Sequence, residues 1–338
     1  MNYFEFGGNL KLLEPFTVNV ANMNGLPKDT MGNPMIPAST LRGWLRFASY
    51  RCLVHLYKEH GKLFSIHEHY MLAKGVDTGG LIEKERGTTV GANVRVREVN
   101  PMMDLYGRWG LSSALGVSNA IASKSNIIKL GASSRSHIQD NFDNFDDYII
   151  EGEKELLNQI VAEDADFSPE IRELKNKAKA IYLEKRSSSG AVQDDLQEQL
   201  NDINKQIDSV KSKKIGSRES IRRLSYGVEA LDRGSVIPFK MKLNGNHIES
   251  YKFLIWTMSK LNLFSLGGMQ SHNFGRVECI LSVINRSFKN PLGTHIGEVH
   301  VEEYDFHYHT LDPMLFDLEE FENSLLDESK FNFRMFGG

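Results

Sequence analysis

Residues 266–281, LGGMQSHNFGRVECIL, gather five hydrogen-bond-donating side chains, Gln270, Ser271, His272, Asn273 and Arg276, directly behind the adjacent glycines Gly267 and Gly268. Such donors suit a phosphate or a nucleotide, and paired glycines let a backbone bend sharply or approach a ligand with no side chain in the way. The plainer alternative is a helix C-cap at Gly267 followed by a turn. A second basic site lies in STLRGWLRFASYRCLVHLYKEHG. There Leu41, Trp44, Leu45, Ala48, Cys52, Leu53 and Leu56 recur at helical spacing behind a Ser39 or Thr40 cap, and Arg42 and Arg46 stand one turn apart on the opposite face. A third, IGSRESIRRLSY, carries Arg218, Arg222 and Arg223, whose alternative reading is a set of solvated arginines.

Other constellations are poorer in chemistry. His67 with His69, and His307 with His309, would each put two imidazoles on one strand face and begin a metal site, although such pairs are more often ordinary surface histidines. Cys52 and Cys279 lack CxxC spacing and read as buried small hydrophobes. The chain contains no GxGxxG, P-loop, HExxH or GxSxG pattern, so a conventional small-molecule enzyme has little support. The expectation is no catalytic residue, no metal and no cofactor.

The elements that must hold these residues come from a chain of 338 residues, 41% apolar, enough for one large domain with insertions or for two domains. The start, MNYFEFGG, does not read as a signal peptide, and no apolar run is long enough to cross a bilayer, which predicts a cytoplasmic protein with no membrane partner. The formal net charge of -4 is unevenly spread: residues 138–210 hold 18 acidic against 8 basic side chains, and residues 298–330 hold 11 against 1. The remainder is therefore a basic body carrying two acidic appendages, a distribution open to an anionic polymer.

LKLLEPFTVNV has strand character, and NGLPKDTMGNP is a turn-rich loop. Residues 76–100 suit a loop or hairpin with Val94, Val96 and Val99 as partial strand signals. DLYGRWGLSSALGVSNAIAS reads as a short turn and a strand. Residues 152–162, 170–186 and 191–212 read as helices, the last with Val192, Leu196, Leu200, Ile203, Ile207 and Val210 in a narrow stripe, and SSSG joins the last two into a hairpin. YGVEALDRGSVIPFKMKL is a strand, a turn and a strand; a helix at about 250–265 and a strand in RVECILSVI follow. Strand, helix, strand, strand, helix, strand is the order of an α+β, RRM/ferredoxin-like core. The predicted organisation is a first part of the core over 1–137 with a loop insertion at 61–100, an acidic helical insertion over 138–212, a thumb-like segment and second part of the core over 213–290, and an acidic tail over 291–338.

Four stretches, in order, resemble the RAMP superfamily of CRISPR-associated proteins. MIPASTLRGWLR resembles its Ile-Pro-Gly-Ser-Ser-Leu-Lys/Arg-Gly opening, and DLYG with LSSALGVSNA resembles its Leu-Phe-Gly block and following strand. YGVEALDRGSVIPFKMKL resembles the block with Glu, a Gly-Ser/Thr pair and Phe, and GGMQSHNFGRVECIL resembles the glycine loop Gly-Gly-x-x-Ser-x-Gly-Phe-Gly-Arg-Val, with Asn273 where the family commonly has Gly. The likeness is to the repeated backbone subunit of class 1 effector complexes, the Cas-seven group, and within it to the type IV branch. It does not extend over residues 140–212 or beyond about 290.

That resemblance implies an RRM-like palm and a thumb hairpin, a subunit in antiviral defence that oligomerises with copies of itself along a CRISPR guide RNA and presents the guide to complementary target. Its implied partners are a Cas-five-like subunit, large or small subunits, a guide-processing endonuclease and a helicase. Residue by residue, it implies RNA contacts at Ser39, Arg42 and Arg46, at Gly267, Gly268, Gln270, Ser271, His272 and Arg276, and at Arg218, Arg222 and Arg223 in the place of the thumb. In type III relatives an aspartate before the Ile-Pro motif supports cleavage of target RNA. Here that position falls near Asn22, Met23 or Asn24, within ANMNG, which contains no carboxylate. The alternative, a metal-dependent target-RNA endonuclease, would have to use Asp29 or a histidine pair.

Overall fold

The computed structural model describes residues 2–18, 25–81, 90–130, 133–134, 170–171, 173–182, 184–185, 191–212, 224–225, 228–244, 247–270, 273–310 and 316–336. The chain divides into two compact units, one of residues 1–130 with 228–338 and one of residues 131–227.

The larger unit begins with β1 (Asn2–Leu12), β2 (Met35–Ile36), α1 (Ala38–Glu59), α2 (Ile66–Lys74), α3 (Val90–Val99) and α4 (Pro101–Tyr106). The short strands β3 (Leu115–Val117), β4 (Ala120–Ile121) and β5 (Ile127–Lys129) follow. In the smaller unit, β6 (Ser133–Ser134) pairs with β7 (Leu224–Ser225), and α5 spans Ala191–Ser212. The chain then returns through β8 (Glu229–Leu231), β9 (Val236–Asn244), α6 (Ile248–Met258), β10 (Val277–Ser287), β11 (Thr294–Val301), β12 (Phe306–Thr310) and α7 (Leu318–Ser324).

The protein is thus mixed α+β. Its main sheet has the order β12-β11-β10-β1-β9-β3, with every neighbouring pair antiparallel. Side chains alternate across a strand, and the alternation decides which face is buried. Phe4, Phe6, Leu10 and Leu12 of β1, Ile237, Phe239, Met241 and Leu243 of β9, and Cys279, Leu281 and Val283 of β10 form the inner face. Tyr251 of α6 lies on it, 4.6 Å from the Phe4 ring and 5.8 Å from the Phe6 ring. The outer face is polar: Lys11 pairs with Glu278 at 2.9 Å, Arg286 with Glu5 at 3.0 Å, and the Lys242 ammonium stands 3.8 Å from the Tyr3 ring centre.

Several expectations are corrected. The opening strand starts at Asn2 rather than in LKLLEP. Residues 90–99 are helical instead of hairpin, because Val96 is drawn completely into the core and Asn100, capping α4 through the Met103 N–H, breaks the run. The predicted loop insertion over 61–100 also contains α2, closed by a Ser65–Glu68 capping box and a left-handed Gly75. The helix expected to about 265 stops at Met258 and gives way to a 3-10 turn over Leu261–Leu263.

The segment 291–338 is no tail: β11 and β12 widen the sheet, and Phe321, Phe331, Phe333 and Phe336 are buried. Sparse phenylalanines in an acidic run carry no helical or strand period, yet each buried ring is worth roughly 1.5–3 kcal/mol, which anchors the segment. In the smaller unit, α5 matches the predicted 191–212 helix and buries Leu196, Ile203, Ile207 and Val210, while Val192 is exposed. Residues 173–182 are helical, and Lys185 donates to Gln197 of α5. Residues 152–162 and the SSSG connection lie outside the described residues.

Candidate nucleic-acid interface

Pro37 precedes α1 in extended conformation and serves as its N-cap, its own side chain making no capping hydrogen bond. Its carbonyl accepts the Thr40 and Leu41 N–H groups, and the Ala38 N–H donates to Asn119 Oδ1 at 2.8 Å. Ser39 and Thr40 therefore lie within the helix, not at its cap, and Ser39 is exposed. Asn119 does part of the work assigned to Ser39. It sits in the LGVSNA stretch, and only the tertiary approach of that strand end could reveal it.

Arg42 and Arg46, expected to share an outward face, have separate roles. Arg42 is exposed, with Nη2 donating to the Tyr106 carbonyl at 3.1 Å. Arg46 is only 9% exposed and donates from Nε to Leu72 O at 2.8 Å, from Nη2 to Met71 O at 2.8 Å and from Nη1 to Gly107 O at 3.1 Å. Helix C-termini leave carbonyls unpaired and carry partial negative charge. Arg46 thus ties together the ends of α2 and α4. Burial lowers its pKa to about 10, which leaves it cationic at neutral pH. It joins a buried polar face of α1 with Ser49, whose Oγ lies 2.8 Å from the Tyr106 hydroxyl and 2.9 Å from Thr257 Oγ1. A phosphate contact by Arg46 is replaced by this structural one.

The glycine loop is explained largely by packing against residues 15–17. Gly267 has φ +87°, and a Cβ there would lie 2.5 Å from both the Phe16 ring and the Thr17 carbonyl oxygen. The Gly268 N–H donates to Thr17 O at 2.8 Å, and the Gly275 N–H to Pro15 O at 3.0 Å. Gln270 folds back, its Nε2 donating to Ser265 O and Gly267 O at 2.9 and 3.1 Å. Asn273, at the position where a glycine was expected, takes φ +61°. Besides glycine, Asn is one of the few residues whose short polar side chain lets it enter this left-handed region, so the departure from the glycine pattern keeps the turn. Arg276 Nη2 pairs with Glu303 Oε1 at 2.7 Å. Glu303 belongs to the acidic run read as an appendage of the basic body, and the run's charge gives no sign that it folds back. Trp44 Nε1 donates to Phe264 O at 2.8 Å, joining the α1 stretch to the loop stretch. Ser271 and His272 lie outside the described residues.

The remaining candidates sort as follows. Arg218, Arg222 and Arg223, with Asn22, Met23 and Asn24, lie outside the described residues. Asp29 is committed to its own turn: Oδ1 accepts the Met31 and Asn33 N–H groups at 2.9 and 2.8 Å, and Oδ2 accepts Asn33 Nδ2 at 3.0 Å. The Asn33 bonds hold its pKa below the usual value. His67 and His69 are on helix α2, not a strand, so residues two apart face different ways. His67 meets Thr78 Oγ1 and His69 meets the Tyr50 hydroxyl. His307 and His309 do share a face of β12, their rings 6.3 Å apart, with His307 held by Asp305 at 3.1 Å. Among the described residues no group of three or more His, Cys, Asp or Glu side chains is disposed to hold a metal ion. Among them, too, no helix is long and apolar enough to cross a membrane.

No protein-family model matches the chain, and the search of curated proteins finds no match.

Proposed function

We propose that the chain is a CRISPR guide-RNA-binding backbone subunit, similar to the Cas-seven group, which lines up with copies of itself along the guide and does not cut target. The observation that carries the reading is where the four family-like stretches fall. MIPASTLRGWLR opens α1, DLYG closes α4 ahead of β3, VIPFKMKL is β9, and the glycine loop feeds β10. The strands β10-β1-β9-β3, all antiparallel, with α1 and α6 between successive members, supply the order of a split βαβ core, which supports an RRM/ferredoxin-like palm. Stretches remote in sequence thereby meet: Ser118 and Lys240 exchange 2.9 Å hydrogen bonds between the second and third of them.

On this reading guide affinity is electrostatic and independent of guide sequence, and specificity resides in base pairing. Arg42 is the phosphate contact best placed near the start of α1. Arg276 reaches RNA only by leaving Glu303. Cutting would need a positioned base or metal, and the Asp29 carboxylate is spent on its loop.

The test is the mass and nucleic-acid content of the purified protein. The expected result is copurifying RNA of uniform length and multi-copy particles by light scattering, with complementary target left intact in magnesium or manganese. A protein that stays monomeric at micromolar concentration with and without guide defeats the assembly reading. Divalent-dependent cuts lost in Asp29→Ala would make it a nuclease.

A further inference from the structure

Trp109 is 86% exposed, whereas the other two tryptophans, Trp44 and Trp256, are buried at 7% and 1%. Exposing so large an apolar side chain forgoes considerable burial, and here the exposure is enforced rather than loose. Arg108 and Leu111 exchange backbone hydrogen bonds of 3.0 and 2.9 Å, so Trp109 and Gly110, with φ +79°, form the tip of a tight two-residue turn. Leu111 anchors one side in the core. Arg108 spends its guanidinium on the Phe336 and Trp109 carbonyls, and Arg97 donates to Ser112 O at 2.6 Å.

The surroundings are cationic. Arg42 holds the Tyr106 carbonyl, three residues and at most about 11 Å of chain from Trp109. Gly75 lies against Gly107, where an added Cβ would be 3.2 Å from the Gly107 oxygen, so its exposed chain neighbours Lys74 and Val76 flank the segment leading into the turn. The nearby Asp77 carboxylate is turned to the Gly79 and Leu81 N–H groups at 3.1 and 2.8 Å.

We infer that Trp109 is a stacking platform for one unpaired base of a single-stranded RNA whose backbone phosphate is held by Arg42, an inference that rests on the RNA-binding reading. A rigid indole beside an arginine combines the two interactions that single-strand binding uses, base stacking and phosphate neutralisation. Stacking is indifferent to base identity, as guide binding requires.

The experiment measures poly-uridine RNA binding by anisotropy, together with tryptophan emission, for the wild type, Trp109→Ala and Trp109→Phe. RNA is expected to quench wild-type emission. Trp109→Ala is expected to weaken binding about 5- to 150-fold, the range for loss of one stacked base, while Trp109→Phe retains most of the affinity. Circular dichroism should be the same for all three, since the side chain is outside the core. RNA bound with unchanged emission and undiminished affinity in Trp109→Ala overturns the inference and leaves the RNA-binding reading standing. No RNA binding by the wild type overturns that reading itself. Unchanged RNA affinity with a smaller assembly in Trp109→Ala assigns the residue to a protein contact, which also overturns the inference.

Discussion

Replacing Arg46 by alanine separates a structural arginine from a nucleic-acid contact. The substitution strips the Leu72, Met71 and Gly107 carbonyls of their shared donor in a buried setting. Hydrogen bonds to a charged donor are worth about 1.5–3 kcal/mol each, but they share one side chain and are not additive. Leaving a buried carbonyl without its donor costs about 1–3 kcal/mol, and with three of them coupled through one side chain the expected loss is about 3–5 kcal/mol. With a urea dependence of about 2–3 kcal/mol per molar, the unfolding midpoint should fall by about 1–2.5 M. The assay is urea unfolding followed by the emission of Trp44 and Trp256, both in the same compact unit as Arg46. Arg42→Ala serves as the contrast: its one bond from an exposed position is worth about 1 kcal/mol at most, while its loss should lower RNA affinity evenly across sequences and reduce the salt slope by about one. An Arg46→Ala protein that unfolds at the wild-type urea concentration yet binds RNA poorly would refute this division.

Gly275→Ala should lower stability by more than about 2 kcal/mol, since φ is +79° and the new Cβ would collide with the Leu266 carbonyl; a wild-type melting temperature would show that the loop yields. Glu303→Gln releases Arg276 from its 2.7 Å ion pair and should tighten binding of unrelated RNAs severalfold at low salt, whereas affinity equal to wild type would remove Arg276 from the interface. Burial raises the thiol pKa of Cys52 to about 11 and of Cys279 to about 12, from 9.0. The neutral thiols favour the folded state, so their contribution is full below pH 9 and declines as pH rises toward 12, where the unfolded chain ionises first. Both should resist a thiol reagent at pH 8 until the protein is denatured, and fast labelling of the native protein would contradict their burial.

The strands β9 and β10 and the helices α1 and α5 were legible because each is amphipathic at its own period. The shared pull of Arg42 and Arg46 was misleading. Arg46 continues a line through Ser49, Leu53 and Tyr57, all buried, so α1 is covered on two sides; a helical wheel cannot tell a solvated arginine from one spent on the carbonyls of neighbouring helices. The glycines of the 266–276 loop were legible as a close approach, but not that the approaching body is the chain's own residues 15–17. Helix α3 was hidden because Val94 and Val96 alternate like a strand, while the complete burial of Val96 exists only in the folded chain. The acidic C-terminal segment was misread for the same reason: its phenylalanines find their pocket only once the sheet exists.

Strand β1 pairs on one side with residues 236–244 and on the other with residues 277–287. Strand β1 is therefore made more than 200 residues ahead of both its partners. At about 5–20 residues per second, Phe4, Phe6, Leu10 and Leu12 wait roughly 15–50 s for both partners to be synthesised. During that interval an apolar strand with two open edges is exposed to other nascent chains. Yield in a foreign host is then governed by chaperone supply and translation speed before it is governed by the stability of the finished fold.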